Sequence, residues 1–306
     1  IIKMNISNSN NIIFLISQPR SGSTLLQRIL GSHPSIHTQS EPWILLHPLF
    51  PLKYEEIVTP YNSWLYSLGM KDFISSLPQG NEQYKQTISN AYIALYNSIL
   101  KEQNKHFFLD KTPRYFHIIK ELYNFFPESK FLFILRNPAA VITSIAKTFT
   151  KSDWTRLSDF RHDLLFAPKL IIDGKKHIGK SAYILHFESL LNNPDSEIAK
   201  VCDFLGIQYY PSMLNYNRDS TTKWRFGDQQ NVYNLHKLNP EINNKWIEEL
   251  KDHQTWRVVY DYIQRLGESI IKELAYDFKK LSDEISKHKP SDIVETTTIG
   301  LDILLE

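Results

Sequence analysis

Arg20 stands in "IIFLISQPRSGSTLLQRIL" (12–30), where an apolar run passes through a polar turn into a helical pattern. That order fits a loop whose backbone N–H groups open a helix and hold a phosphate-like anion, with Ser21, Gly22, Ser23 and Thr24 forming the cradle. A loop of the GxxxxGK[ST] kind places a Lys on the β/γ-phosphates and a Ser/Thr on Mg²⁺. Here Ser23-Thr24 follow Gly22 directly, and the cation comes earlier, at Arg20. Ser21 and Thr24 also suit a helix cap, a role that coexists with anion binding.

A second cation ends the run "KFLFILRNP", where a Mg-nucleotide enzyme would present an Asp for its metal. Arg136 takes that place, and Ser144 follows two turns into the next helix. An arginine and a serine so spaced can share the oxygens of a second anion. Two separated anion sites on one sheet require a ligand with phosphates at both ends of a nucleoside. 3′-Phosphoadenosine 5′-phosphosulfate (PAPS) is such a ligand, and the two departures point away from Mg-nucleotide chemistry.

The elements that must position these groups are short. Apolar runs at 12–17, 106–110, 130–136 and 182–188 read as strands of a parallel sheet buried on both faces. Helical patterns alternate with them, and Pro113, Pro138 and Pro194 stand near three helix starts, where proline is tolerated. This alternation predicts an α/β three-layer sandwich with right-handed crossovers and a ligand beyond the carboxyl ends of the strands. Residues 43–105 hold many aromatic residues and no convincing strand, so a mainly helical insertion is expected. From Trp256, apolar residues at Val259, Ile263, Leu266, Ile270, Leu274, Phe278, Leu281 and Ile285 keep the spacing of one long amphipathic helix. Its apolar side suits packing on the domain better than a homodimer seam. The segment after Lys287 reads as a tail or linker.

The 306 residues carry a net charge of +2 and are 42% hydrophobic, enough for a sizeable core and too mildly basic to argue for nucleic acid. The single cysteine, Cys202, excludes an internal disulfide and falls in a helical pattern as a buried residue. No stretch approaches the roughly 20 apolar residues of a membrane span, so a cytoplasmic location and no membrane partner are expected.

"PRSGST" with "RNPAAVITS" resembles the two nucleotide-binding motifs of PAPS-dependent sulfotransferases, nearest the bacterial and tyrosylprotein-type members. "HFESLLNNPDSEIAKVCDFLGI" is similar to that family's strand–helix module, and "KWRFGDQQNVY" to its C-terminal nucleotide-covering loop. The resemblance spans residues 12–278. It implies a P-loop NTPase-like sulfotransferase fold, with a sulfotransferase domain over 1–278 and a helix end and tail over 279–306. It also implies that Glu41 acts as base, that Lys111 in "LDKTP" contacts the sulfuryl group, and that Arg225 and Gly227 cover the nucleotide. On this basis Arg20 and the 21–24 backbone take the 5′-phosphosulfate, while Arg136, Ser144 and Arg225 take the 3′-phosphate, with no metal.

Three positions depart from the family's pattern. Phe187-Glu188 stands where Tyr-Glu is usual, Thr148 where the tyrosylprotein group has Arg, and Arg225-Phe226-Gly227 keeps only the ends of Arg-Lys-Gly. His33 and His37 remain alternative bases, Glu41 could be a helix-end carboxylate, and Lys111 could be a surface residue near Asp110. The acceptor is expected to be a small molecule, a natural product in particular, because the five Lys and five Asp/Glu of 43–105 form no basic track for a polyanion. A P-loop kinase or a non-catalytic nucleotide-binding module are the competing readings.

Overall fold

The computed structural model describes residues 8–53, 62–216, 224, 238–291 and 299–304. At its centre lies a parallel sheet of β1 (Ile12–Ser17), β2 (Ile36–Thr38), β3 (Phe107–Asp110), β4 (Lys130–Leu135) and β5 (Ala182–His186), in the order β2-β3-β1-β4-β5. All pairs are parallel, with Phe14 opposite both Asp110 and Phe131. The sheet is buried because its strands are apolar on both faces. Ile12, Phe14 and Ile16 enter one core with Phe131 and Phe133, while Ile13 and Leu15 enter another with Leu132 and Ile134. Each such side chain contributes about 1.5–3 kcal/mol on leaving water.

One face is covered by α1 (Ser23–Gly31) and, further along the chain, by two helices over Phe187–Asn192 and Pro194–Leu205. The other face carries α2 (Leu46–Lys53), α4 (Gly80–Gln103) and α5 (Ile119–Phe125), and α3 (Ser63–Ser76) packs on α4. The 43–105 region is thus helical where described. β2 was not anticipated from sequence: it is a three-residue edge strand containing His37 and Thr38, too short and polar to show period-two alternation. β5 ends at His186, and Phe187 and Glu188 open the helix that follows.

α6 (Pro138–Ile145) starts with proline at its first position, and the Asn137 side chain caps it by accepting from the Ala139 N–H at 2.9 Å. It continues into a π-helical turn over Ala146–Thr150. A third core joins α6 to the C-terminal helices. The expected single long helix is two, His253–Glu273 and Phe278–Lys287, and the first is itself interrupted at Gly267 (φ 73°). Ala275 adopts φ 65°, and Asp277 caps the second helix through the Lys280 N–H. Apolar spacing persisted across a break that turns the chain. Leu281, Ile285 and Leu301 are buried against Trp256, Val259 and Ile263, which places these late residues in the packed core.

Candidate active site

β1 is the middle strand, and its carboxyl end delivers the loop Gln18–Gly22 onto the N-terminus of α1. The loop needs two left-handed residues, Arg20 (φ 66°) and Gly22 (φ 88°). Gly22 also faces the Phe187 ring so closely that an added Cβ would lie 2.2 Å from it. As the N-cap residue, Gly22 provides no side-chain cap, so the positive end of α1 stays open to an anion. Ser21 is buried and its N–H donates to the Gln18 carbonyl at 3.3 Å, which gives that N–H to the turn rather than to a ligand.

β3 and β4 flank β1, and each ends in a cation. After β3, Lys111 is 1% exposed, and its Nζ lies 2.5 Å from Glu41 Oε1 and 3.4 Å from Thr24 Oγ1. The lysine missing from the loop therefore arrives from the neighbouring strand. Burial pushes the Lys111 pKa down, and the Glu41 carboxylate opposes that shift. Glu41 Oε2 accepts from Trp43 Nε1 at 3.2 Å.

Beneath this pair, buried Asp110 accepts from Tyr96 (2.6 Å), Tyr115 (3.1 Å) and Thr112 (3.1 Å). Thr112 in turn accepts from the Trp43 N–H, and Tyr115 from the Leu45 N–H. The segment carrying Glu41 is thereby fastened to the strand end carrying Lys111. Burial raises the Asp110 carboxyl to a pKa of about 6 in spite of these donors.

After β4, Arg136 lies over the Phe187 ring (4.6 Å) and donates from Nη1 to the Arg20 carbonyl at 2.9 Å. Arg20 Nε donates to Ser144 Oγ at 3.0 Å, and its guanidinium lies 5.6 Å from the Phe149 ring. The arginine placed with one anion and the serine placed with the other are thus in direct contact. A cleft of about 310 Å³ opens here, lined by Arg20, Arg136, Ser144, Lys147, Lys245 and Trp246 among others. Lys147 Nζ lies 2.5 Å from Glu249 Oε1 across it. Sequence reading missed Lys147, Lys245, Trp246 and Glu249, which no motif marks.

The alternative base His33 is fully engaged, with Nδ1 accepting from the Ser35 N–H and Nε2 at 3.0 Å from the Gln208 carbonyl. His37 packs on Phe108, three positions back along β3 from Lys111. Neither reaches the pair Glu41–Lys111, and burial lowers the pKa of both. Arg225 and Gly227 lie outside the described residues. Among the described residues no group of three or more His, Cys, Asp or Glu side chains could hold a metal, and no helix is long and apolar enough to cross a membrane.

A sulfotransferase family model matches residues 12–212, from β1 to beyond the second helix of the strand–helix module. This chain belongs to the sulfotransferase family. Among its relatives, the nodulation protein NoeE of Sinorhizobium fredii is 24% identical, over 87% of this chain and 66% of that protein. A putative protein-tyrosine sulfotransferase of Caenorhabditis briggsae is 22% identical, over 78% of this chain and 80% of that protein. The sulfotransferase domain from the curacin biosynthetic pathway shares the fold, with a TM-score of 0.53 and 20% identity over 89% of this chain and 99% of that domain. The chain spans just under two thirds of the nodulation protein. In this chain Phe187, which stands where the family usually has tyrosine, forms a flat wall shared by Gly22 and Arg136.

Proposed function

We propose that this protein transfers the sulfuryl group of PAPS to a hydroxyl or amine of a small-molecule acceptor without a metal. The observation that carries this reading is the place of Lys111 Nζ, in contact with Glu41 on one side and with Thr24 of the anion loop on the other. A cation so placed can pass from the carboxylate to oxygens held at the loop.

The donor supplies an already activated sulfuryl group at a phosphosulfate linkage. The cleft residues fit it: Arg20, Arg136, Lys147 and Lys245 offer positive charge, and the start of α1 offers N–H groups. Lys111 and the loop donors stabilise charge building on the leaving oxygens, the kind of fixed electrostatic complement that lowers a barrier. Glu41, released from Lys111, takes the acceptor's proton. The transferred group carries less negative charge than a phosphoryl group, so side-chain cations can serve where a kinase needs Mg²⁺.

An acceptor with an apolar body is favoured by the stacked pair Phe149–Phe160 (centroids 5.2 Å, 10° apart) beside Arg20. The curacin-pathway likeness supports a natural-product acceptor, and the relationship to protein-tyrosine sulfotransferases makes a tyrosyl peptide the control. The test is calorimetry with adenosine 3′,5′-bisphosphate, AMP and ATP, then an acceptor screen with labelled PAPS in excess EDTA. Binding of the bisphosphate in preference to ATP, with transfer that survives chelation, is expected. An absolute Mg²⁺ requirement would favour the kinase reading, and nucleotide binding without transfer a non-catalytic module.

A further inference from the structure

Lys147 follows Ser144 by one helical turn, on the π-helical continuation of α6, and faces the cleft. Its Nζ is held by Glu249 Oε1, the last residue of the short helix Lys245–Glu249 on the opposite rim. Lys245 and Trp246 of that helix line the same cleft. The Lys147 side chain is 68% exposed and that of Glu249 38%. An exposed pair of this kind contributes little to stability, so separating it is cheap. Among the described residues, Arg20, Arg136, Lys147 and Lys245 bring four positive charges to a cleft whose lining holds one carboxylate, Glu249.

We propose that Lys147 is a selectivity residue for the second phosphate of the nucleotide, and that it binds that phosphate by exchanging Glu249 for it. This rests on the reading of the cleft as a bisphosphorylated-nucleotide site. A phosphate near Ser144 is within one turn of Lys147, and a dianion attracts the ammonium more strongly than one carboxylate does. Glu249 then acts as a competitor: it keeps Lys147 at the cleft rim while the site is empty and opposes the incoming phosphate by repulsion. The two charges have opposite effects on one ligand.

The experiment is calorimetric titration of adenosine 3′,5′-bisphosphate and AMP into the whole chain, comparing the native protein with Lys147→Met, Lys147→Arg, Glu249→Gln and the double variant. Lys147→Met should weaken the bisphosphate about fivefold to tenfold, as loss of one partly exposed charge-assisted contact does, and change AMP less than about twofold. Glu249→Gln should tighten the bisphosphate about threefold and leave AMP unchanged, and the gain should vanish in the Lys147→Met background. Lys147→Arg should retain selectivity.

A merely structural ion pair would make both single variants weaken both ligands, and that result overturns the proposal. So does a Lys147→Met variant that binds the bisphosphate normally while the native protein still prefers it to AMP; the nucleotide reading would then stand alone. If the native protein does not distinguish the two nucleotides, both readings fall.

Discussion

Arg136 Nη1 donates to the backbone carbonyl of Arg20 at 2.9 Å, so the arginine ending one motif fixes the loop of the other. Arg136→Ala should therefore do more than remove a phosphate contact. Loss of a charge-assisted partner costs roughly 1.5–3 kcal/mol, so adenosine 3′,5′-bisphosphate should bind at least about tenfold more weakly. AMP should also lose affinity, by a smaller factor, because its loop is loosened. Calorimetry of both ligands measures this, and an unchanged AMP affinity would show that the carbonyl contact does not hold the loop.

Glu41→Gln separates chemistry from folding. As base loss it should lower kcat about 10²–10⁴-fold, with bisphosphate affinity kept. It also leaves Lys111 buried beside a neutral amide, and breaking a buried pair costs about 3–5 kcal/mol. A fall in melting temperature should therefore accompany the kinetic loss, and activity must be assayed well below that temperature. His33→Gln, in contrast, should reduce stability with kcat unchanged, since both ring nitrogens serve the backbone.

Gly22→Ala meets two obstacles, a positive φ and the Phe187 ring. Strain and overpacking together should cost at least about 2 kcal/mol. Gly22→Ala with Phe187→Leu should recover the steric part but not the backbone part, leaving a residue of about 1 kcal/mol. Urea unfolding of the single and double variants distinguishes these shares, and full recovery would mean that the left-handed backbone carries no penalty here.

Buried Asp110 and half-buried His117 give stability opposite pH dependence. Asp110 is raised from 3.8 to about 6 by burial, so the folded state holds a proton the unfolded chain has lost. Its contribution is present below pH 4 and lost as pH rises to about 6, roughly 3 kcal/mol in all. His117 is lowered from 6.5 to about 4, first by burial and then by His162. Its contribution is present above pH 6.5 and lost as pH falls toward 4. Relative to the native protein, Asp110→Asn should gain stability between pH 4 and 7, and His117→Asn should lose it. Urea midpoints across that range give both slopes, and parallel curves would show that neither group is perturbed.

Much of the scaffold was legible because strands buried on both faces leave unbroken apolar runs, and because Pro138 and Asn137 mark a helix start directly after Arg136. Lys111 and Glu41 came from a resemblance, and the structure adds why they are adjacent: Thr112, Tyr115 and Asp110 bind the two segments together. The contact Arg20–Ser144 joins positions 124 residues apart and has no local signature. Lys147 and Glu249 are ordinary surface charges until the C-terminal helices fold back across α6. The break at 274–277 escaped notice because Leu274, Phe278 and Leu281 continue the helical spacing while Ala275 departs from helical geometry.

Phe187 is pressed between Gly22 and Arg136, so one ring is a bearing surface for the two halves of the cleft proposed to hold the nucleotide. The halves are then set against each other before any ligand arrives, and ordering one orders its neighbour. A donor bound at both ends loses little further conformational freedom on gripping the second. Adenosine 3′,5′-bisphosphate should accordingly bind more tightly than either AMP or adenosine 3′-phosphate, each of which carries only one of its two phosphates.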